Sequence, residues 1–521
     1  MLEFATLAQL VGLALGAVGP SGTLTIANAV IAPDGFQRSA VLAGDSPTTL
    51  SFPGPVVQGT KGTSFSLNVV DNLADTTMER LTSIHWHGFF QSGSAWADGP
   101  TGVTQCPIVP GNSFLYEFSA AEQAGTFLVP LPLFPTSASQ YCDGLRGAMV
   151  VYDPNDPHLD LYDVDNEATV ITLADWYQIP APSQGVVPTP DSTLINGKGR
   201  FLGGPLSPLA VVMVNQNSRY RFRLVSISCD SSFVFSIDGH TMNIIESDGI
   251  STEQLTVDSL EIFAGQRYSF VLEANQAVDN YWIRANPSAG TAGFDGGLNS
   301  AILRYVGAAD EDPTTLQQPN NNPLLETNLH PLTDPAAPGT PEPGSADVNI
   351  NIAVAFDFNT LQFQVNGAPF IEPSVPVLLQ ILSGATAAQD MLPPGSVYEL
   401  PLNSVVELTL PGGSTASPHP IHLHGHAFSV VRSAGNDSYN FVNPVRRDVV
   451  NTGNLATDLV TIRFRTDNSG PWIMHCHIDW HLIRGLSVVF AEGIPETASS
   501  DPPMSWDDLC PAFEDFENTE R

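Results

Sequence analysis

The chain has 521 residues, which at about 100–200 residues per domain predicts two to four domains. Only 14% of the residues are charged, and 54 acidic against 19 basic side chains give a formal net charge of −35. A field of that sign repels nucleic acid and anionic membranes, so neither is expected as a partner.

The N-terminus begins with an apolar stretch, Leu7 to Val18, that is followed by small residues. This pattern is typical of a secretory signal with a cleavage site between positions 17 and 22, and it predicts a signal peptide over residues 1–21. The segment before it carries Glu3 and no Lys or Arg, so a buried first strand is the alternative. No later apolar run reaches membrane-spanning length, and no anchor is expected.

The rest of the chain has the pattern of an all-β protein. Gly and Pro occur 43 times each, and runs such as Phe65–Val70, Val170–Leu173 and Val405–Leu410 are rich in β-branched or aromatic residues and are bounded by turn residues. No long stretch has helical periodicity, so we expect antiparallel sandwiches or barrels. Turn-rich text near 153–160 and 310–344 predicts three domains, at residues 22–155, 156–324 and 325–521.

Nine of the twelve histidines fall in three short clusters: His85-Trp86-His87, His419-Pro-Ile-His422-Leu-His424-Gly-His426, and His475-Cys476-His477-Ile-Asp-Trp-His481. In a strand, residues two apart point to the same face, so each His-x-His pair can converge on one metal site. A single His-x-His pair is weak evidence, because zinc binding or chance explains many such pairs. His426 is not needed as a metal ligand in its cluster and is interpreted as a structural hydrogen-bonding residue.

The third cluster is far more specific than a lone pair. Cys476 points away from His475 and His477, so its thiolate can bind one metal while both imidazoles bind metals on the opposite face. A trigonal set of two His and one Cys is the blue-copper pattern. The Cys–His bonds then form a short covalent route for electrons between two metal centres.

The chain has five cysteines, and an odd number in a secreted protein leaves one unpaired. Cys476 is that residue in this interpretation, because it lies between two histidines. The other four remain for two disulfides: Cys106, Cys142, Cys229 and Cys510.

Beyond the histidine clusters, the chain resembles fungal laccases of the multicopper oxidase family from about residue 23 to 511. The matching segments are SIHWHGFFQ, WADGP, QYCDGLRG, VVYDPNDPH, TLINGKGR, SISCD, PHPIHLHGHAF and GPWIMHCHIDWHL. The resemblance implies three cupredoxin-like Greek-key β-sandwich domains and a secreted monomer that binds four copper ions: type 1, type 2 and two type 3. It also implies one-electron oxidation of phenols or aromatic amines, coupled to four-electron reduction of dioxygen to water.

The resemblance further assigns individual roles. The implied type 1 ligands are His419, Cys476 and His481; the type 2 ligands are His85 and His422; the type 3 ligands are His87, His424, His475 and His477. The implied disulfides are Cys106–Cys510 and Cys142–Cys229. Asp230 takes the phenol-binding position, although a turn residue is its other interpretation. Leu486 stands where blue-copper proteins often carry an axial Met, and losing that donor should raise the reduction potential.

One segment departs from the family. After Glu-Gln-Ala-Gly-Thr-Phe the family reads Trp-Tyr-His-Ser-His, whereas residues 128–139 read LVPLPLFPTSAS, so two type 3 ligands are missing. The codons TGG TAC CAC TCC CAC, read with one T in front, give Leu-Val-Pro-Leu-Pro. We therefore interpret the segment as a local reading-frame slip in the gene model. A chain made as written would keep the type 1 site but could not reduce dioxygen to water.

Three functions compete at this point. The first is a laccase, with lignin among the possible sources of its phenols; the second is a ferroxidase or ascorbate oxidase of the same family. The third is a catalytically impaired copper-binding relative, which the missing histidines would favour. The sequon Asn436-Asp437-Ser438 permits glycosylation in a secreted protein.

Overall fold

The computed structural model describes residues 16–129 and 140–520. Within them, short strands separated by turns account for most of the regular structure, so the all-β prediction is confirmed. Helices in these ranges are short, and none is long and apolar enough to cross a membrane. The strands form three successive units, each built on two larger sheets.

The first unit combines a four-stranded sheet, in the order β2-β1-β4-β5, with a three-stranded sheet, β3-β7-β6. In β4, buried and more exposed residues alternate, as expected of a strand with one face on a core. The strands are β1 (Ser21–Ile31), β2 (Arg38–Gly44), β3 (Val57–Thr60), β4 (Ser64–Asn72), β5 (Ser113–Ser119), β6 (Gly125–Val129) and β7 (Gly147–Tyr152).

The second unit has a seven-stranded sheet, β10-β9-β8-β12-β17-β14-β15, and a five-stranded sheet, β11-β19-β18-β13-β16. Every residue of β8 is buried, so this strand lies inside the molecule. The strands are β8 (Val170–Trp176), β9 (Ser192–Ile195), β10 (Lys198–Phe201), β11 (Val211–Val214), β12 (Arg219–Ser226), β13 (Phe233–Ile237), β14 (Met242–Ser247), β15 (Ile250–Val257), β16 (Leu260–Ile262), β17 (Arg267–Glu273), β18 (Asn280–Pro287) and β19 (Ser300–Tyr305).

The third unit has two five-stranded sheets, β20-β24-β29-β26-β27 and β23-β31-β30-β25-β28, with the hairpin β21-β22 beside them. The strands are β20 (Val348–Asn351), β21 (Val354–Asp357), β22 (Gln362–Val365), β23 (Val397–Leu400), β24 (Val405–Pro411), β25 (Pro420–Leu423), β26 (Phe428–Arg432), β27 (Arg446–Arg447), β28 (Val449–Asn451), β29 (Leu459–Arg465), β30 (Gly470–Cys476) and β31 (Ser487–Glu492).

The α-helices all lie in the last third of the described chain: α1 (Val377–Leu382), α2 (Asp479–Leu482), α3 (Ile494–Thr497), α4 (Met504–Asp507) and α5 (Leu509–Glu520). Helix α5 was not predicted, because it has only a few apolar residues and so shows no clear helical pattern. Those residues pack on the first unit. Trp506 and Leu509 join the core of that unit, and the Trp506 indole donates to Thr104 O at 3.0 Å. The C-terminal segment therefore fastens the third unit to the first.

Two disulfides tie the units together in the pairing that the family resemblance implies. Cys106–Cys510 joins the first unit to α5, and Cys142–Cys229 joins the first unit to the second. Cys476 is free and buried. One continuous apolar core also runs through the second and third units. These contacts hold the loops of the first unit against strands β25 and β30, where the histidine clusters meet.

Candidate metal centre

Two histidines and the free cysteine converge in the third unit. The Sγ of Cys476 lies 3.6 Å from His419 Nδ1 and 3.5 Å from His481 Nδ1, and the two ring nitrogens are 3.2 Å apart. We call these three residues the thiolate cluster. Two imidazoles and one thiolate at these distances form a trigonal donor set of the kind that copper prefers.

The local fold explains how residues so far apart in sequence meet. Strands β25 and β30 pair antiparallel, with Ile421 opposite Cys476, so His419 lies at the strand end beside the cysteine. The chain then turns into α2, which returns His481 to the same side. The remaining ring nitrogen of His419 is held by Ser414 Oγ at 3.0 Å, so its Nδ1 faces the cluster.

The thiolate cluster is closed on one side and open on the other. Cys476 and His419 are fully buried, whereas His481 is only half-buried. Leu486 is 2% exposed and lines the same small cavity as His419, which places an apolar side chain where an axial donor would stand. His481 is therefore the member of the cluster that is most accessible from outside.

A second group of six imidazoles lies on the opposite face of β30, between the first and third units. We call it the imidazole cluster, and its members are His85, His87, His422, His424, His475 and His477. His85 stacks on His424 with ring centroids 3.8 Å apart, and His87 stacks on His422 at 3.7 Å. The Nε2 atoms of His424 and His475 face one another at 3.2 Å.

In most of these rings the outward nitrogen is already held by protein groups. Nδ1 of His85 and of His422 contacts a backbone carbonyl at 2.8 Å, and Nδ1 of His475 contacts Cys476 O at 2.9 Å. Such contacts fix the tautomer and turn the other nitrogen inward. Within residues 16–129 and 140–520, the buried atoms His85 Nε2, His87 Nδ1 and His422 Nε2 have no hydrogen-bond partner.

Those unpartnered nitrogens are the structural evidence for a metal. A buried ring nitrogen without a partner is costly unless it binds something, and imidazole nitrogens suit copper. Burial and the neighbouring imidazoles lower the pKa values of His87, His422, His424 and His475 far below their usual range. Burial lowers the pKa of His477 to about 3. The rings are therefore neutral at ordinary pH, with lone pairs free for metal ions.

The relative direction of the side chains is as predicted from the strand alternation: Cys476 points to the thiolate cluster, and His475 and His477 point to the imidazole cluster. The pairs do not all lie within strands. His424 and His477 lie just beyond the ends of β25 and β30, and His85 and His87 lie in an extended segment outside the sheets. Backbone extension, rather than sheet pairing, is enough to keep alternate residues on one side.

The sequence departure lies mostly outside the described residues, which omit 130–139. Its first two residues, Leu128 and Val129, complete β6, and Leu128 is buried and bridges to His87. The strand therefore leads directly to the imidazole cluster. The reading-frame hypothesis stays a prediction.

Sequence reasoning missed two carboxylates that orient the imidazole cluster. Asp98 is fully buried and accepts from His424 Nδ1 at 2.8 Å. Asp448 lies 3.3 Å from His87 Nε2 and is held by Arg267 through two contacts of 2.6 Å. Neither carboxylate stands at metal-ligand spacing along the sequence, and only the folded protein brings Asp448 within 4.8 Å of the ring nitrogens of His87 and His422.

A glycine also makes room for the imidazole cluster. Gly265 has φ +81°, and a Cβ on it would collide with the ring of His477. A left-handed backbone conformation so close to an aromatic ring admits only glycine without strain. The second unit thus closes the cluster through its backbone.

Asp230 lies in the segment that follows β12 and is half-buried. Its backbone N–H donates to Asp175 Oδ2 at 2.8 Å, while Cys229 O accepts from Asp479 N at 2.9 Å. Burial, together with the charge of Asp175, raises the pKa of Asp230 to about 7. A carboxyl group with that pKa can accept or release a proton near neutral pH.

His426 contacts protein groups on both sides. Its Nδ1 lies 3.1 Å from His424 O, and its Nε2 lies 3.1 Å from Glu492. The hydrogen bond and charge of Glu492 raise the pKa of His426 above its usual value, although burial acts in the opposite direction. These contacts support the structural role expected of this residue.

Comparison with known proteins gives one consistent result. Multicopper oxidase family models match residues 34–156, 167–308 and 370–496. Laccase-2 of Pleurotus ostreatus is 61% identical over 511 residues, covering 97% of this chain and 95% of that protein. The laccase structure from Botrytis aclada has 30% identity and a TM-score of 0.78, covering 95% of this chain and 92% of that one. Fet3p, a multicopper oxidase that functions in iron import, has 26% identity and a TM-score of 0.81, covering 95% of both chains.

Proposed function

This chain belongs to the multicopper oxidase family and is 61% identical to a fungal laccase, and from that premise we propose the roles of its individual residues. It is an oxidoreductase of the laccase type with copper as cofactor. Its substrates are phenols, and dioxygen is the electron acceptor. Copper, when bound, would supply the one-electron chemistry for oxidation of the aromatic substrate and for four-electron reduction of dioxygen.

His419, Cys476 and His481 hold the type 1 copper in this proposal. The observation that carries it is the approach of the two Nδ1 atoms and Sγ to within 3.2–3.6 Å of one another in a buried site with one open edge. The open edge at His481 is where the substrate binds, because the other two side chains are fully buried. The apolar Leu486 packs against this site and leaves it with three protein ligands.

Asp230 acts as the proton acceptor for a phenolic substrate. A phenol that loses an electron becomes strongly acidic at its hydroxyl group. A carboxylate beside the ring that accepts this proton therefore lowers the free energy needed to oxidise the phenol. The raised pKa of Asp230, about 7, suits it to take that proton and then release it to water. Its place next to the Cys229–Asp479 contact keeps it close to His481.

The residues of β30 connect the two clusters. Cys476 is bonded through the backbone to His475 and His477, whose rings lie in the imidazole cluster. We assign His85 and His422 to the type 2 copper and His87, His424, His475 and His477 to the type 3 pair. Asp98 and Asp448 orient these rings through their outward nitrogens.

The imidazole cluster supplies six of the eight imidazoles that the family uses. Residues 128–139 contain no histidine, and the reading-frame slip accounts for both missing ligands. We propose that the natural message encodes Trp-Tyr-His-Ser-His at this point. Sequencing the transcript across codons 125–141 tests this directly, and a spliced message that still encodes Leu-Val-Pro-Leu-Pro would overturn it.

The remaining assignments concern the setting of the enzyme. We propose a secreted monomer whose residues 1–21 are removed as a signal peptide. Asn436 lies in an exposed turn, where the amide N–H of Ser438 donates to its side chain, and it is the proposed glycosylation site. The three domains are proposed at residues 22–155, 156–324 and 325–521; the sheets of the three units lie inside these limits except for the first residue of β1, Ser21.

Function is tested by comparing substrates on purified, copper-loaded protein from the natural transcript. Dioxygen uptake should be fastest with a phenol and slower with ferrous iron or ascorbate. Faster turnover of ferrous iron would make the protein a ferroxidase, and faster turnover of ascorbate would make it an ascorbate oxidase. Copper binding without dioxygen uptake on any substrate would identify an impaired copper-binding relative.

A further inference from the structure

An arginine flanks the opening of the thiolate cluster. Arg484 follows His481 by three residues, immediately after α2, so the two side chains start on the same side of the helical turn. Its backbone N–H donates to His481 O at 3.2 Å. Because His481 is the half-buried member of the cluster, Arg484 stands beside the point where the substrate meets the site.

The guanidinium of Arg484 is fixed in place but keeps its charge uncompensated. Nη2 donates to Val186 O at 3.1 Å and Nη1 to Leu361 O at 3.5 Å. No carboxylate in the described ranges lies within salt-bridge distance, and the buried Nε has no hydrogen-bond partner. Of the five N–H donors of this guanidinium, one on Nη1 and one on Nη2 remain for a ligand, because Nε is buried.

That arrangement is unusual for this chain. Other buried guanidinium groups are paired with carboxylates, as Arg267 is with Asp448 and Arg146 with Asp175. The molecule as a whole carries a formal charge of −35, so anions are repelled at long range. The fixed positive charge of Arg484 beside the substrate opening can therefore attract an anion locally, although the molecule as a whole repels it.

The segment that holds Arg484 also presents apolar surface. Val186 is 46% exposed and Val187 is 84% exposed. On the inner side, the ring of Phe363 lies 4.7 Å from the ring of His481. Apolar side chains next to a cation suit an aromatic ring that carries a negatively charged group.

We propose that Arg484 and the Val186–Val187 segment form a subsite for the carboxylate of phenolic acids. The phenol hydroxyl faces Asp230 and the His481 edge, and the carboxylate binds to the guanidinium, whose planar fork matches two oxygens. This specificity rests on the proposed function, because it names the phenols that the thiolate cluster oxidises best. Arg484 is a positioning residue and takes no part in electron transfer.

Binding of a substrate-like acid that cannot be oxidised tests the subsite without turnover. Isothermal titration calorimetry with cinnamate and with methyl cinnamate compares a carboxylate with its neutral ester on the chain as it exists. Arg484→Gln should weaken cinnamate binding by roughly tenfold and leave methyl cinnamate unchanged, because the charged pair between guanidinium and carboxylate is lost while a neutral hydrogen-bond donor remains. The cinnamate affinity of Arg484→Lys should lie between those of the unsubstituted chain and Arg484→Gln. Added salt should weaken the binding of cinnamate but not of methyl cinnamate.

Arg465→Gln is the matched control, since it removes one charge from an exposed arginine of the same unit in β29. It should change neither affinity. Failure of the unsubstituted chain to bind cinnamate, unchanged cinnamate binding in Arg484→Gln, or an equal loss for acid and ester would each overturn the subsite. Failure of a neutral phenol to bleach the blue colour, with cinnamate binding intact, would instead overturn the proposed function.

Discussion

The thiolate cluster and the imidazole cluster are assembled in different ways. His419, Cys476 and His481 all come from the third unit, where β25, β30 and α2 adjoin. The imidazole cluster takes His85 and His87 from the first unit and its other members from the third. A site inside one unit forms when that unit folds, whereas a site between units also depends on how the units dock.

The contacts that hold the first and third units together are therefore part of the metal chemistry. The Cys106–Cys510 disulfide and the Trp506–Thr104 hydrogen bond fasten the C-terminal segment to the first unit. Asp98 reaches from the first unit to His424 of the third. The imidazole cluster is thus more sensitive to substitution and to sequence error than the thiolate cluster.

Cys476→Ser should give the largest effect, because it removes the thiolate and the link between the clusters. Serine is a poor copper ligand, so we expect no blue colour and no detectable phenol oxidation. Ile473→Leu in the same strand is the control, since it keeps the volume of a buried side chain that packs in a separate apolar core. Retained blue colour in Cys476→Ser, measured by visible absorption, would remove Cys476 from the site.

Asp230→Asn should affect only the substrate side of the thiolate cluster. In enzyme from the natural transcript we expect kcat/KM for phenols to fall about 100-fold above neutral pH, the lower end of general-base effects. The carboxyl has a pKa of about 7, so it gains its charge, and its capacity to accept a proton, as pH rises through that value. The ratio of unsubstituted to variant rate should therefore grow with pH.

Oxidation of hexacyanoferrate(II), which releases no proton, is the control reaction for Asp230→Asn. The rate of this reaction should change by no more than a few-fold, because the side chains that would bind copper are not substituted. An equal loss on both substrates would show that Asp230 supports the local fold and does not accept the proton.

Asp98→Asn should affect only the imidazole cluster. Its carboxylate orients His424 and lies 3.2 Å from His85 Nδ1, and loss of such a contact typically costs about 10–100-fold in metal affinity or activity. We expect weaker copper retention on dialysis and lower dioxygen uptake, with the blue colour preserved. Loss of colour together with uptake would mean that the two clusters do not form independently.

Leu486→Met should give the smallest effect, a lower reduction potential at the thiolate cluster. Leu486 is buried beside His419, and a thioether there can donate to copper and favour its oxidised form. Redox titration of the blue colour measures the change, with Leu482→Met as a control for adding sulfur to a buried position nearby. A higher or unchanged potential would place position 486 outside the axial direction.

The same contrast explains what the sequence could predict. Strand alternation predicted that Cys476 faces away from His475 and His477, because it is a local rule that needs no knowledge of docking. The other members of the thiolate cluster, His419 and His481, were assigned only by the family resemblance. Asp98, Asp448 and Gly265 escaped prediction, since each contacts or makes room for a histidine from another part of the chain. Helix α5 was not predicted either, because its position depends on packing against the first unit and not on a helical pattern in its sequence.

Copper content and dioxygen uptake of two matched proteins test the account most directly. One is the chain as written; the other has Trp-Tyr-His-Ser-His in place of residues 128–132. Both should be blue, because the thiolate cluster is complete in each. Only the restored chain should bind the full four copper ions and consume dioxygen with a phenol. Equal copper content and equal uptake in the written chain would contradict the account, as would a colourless protein in either case.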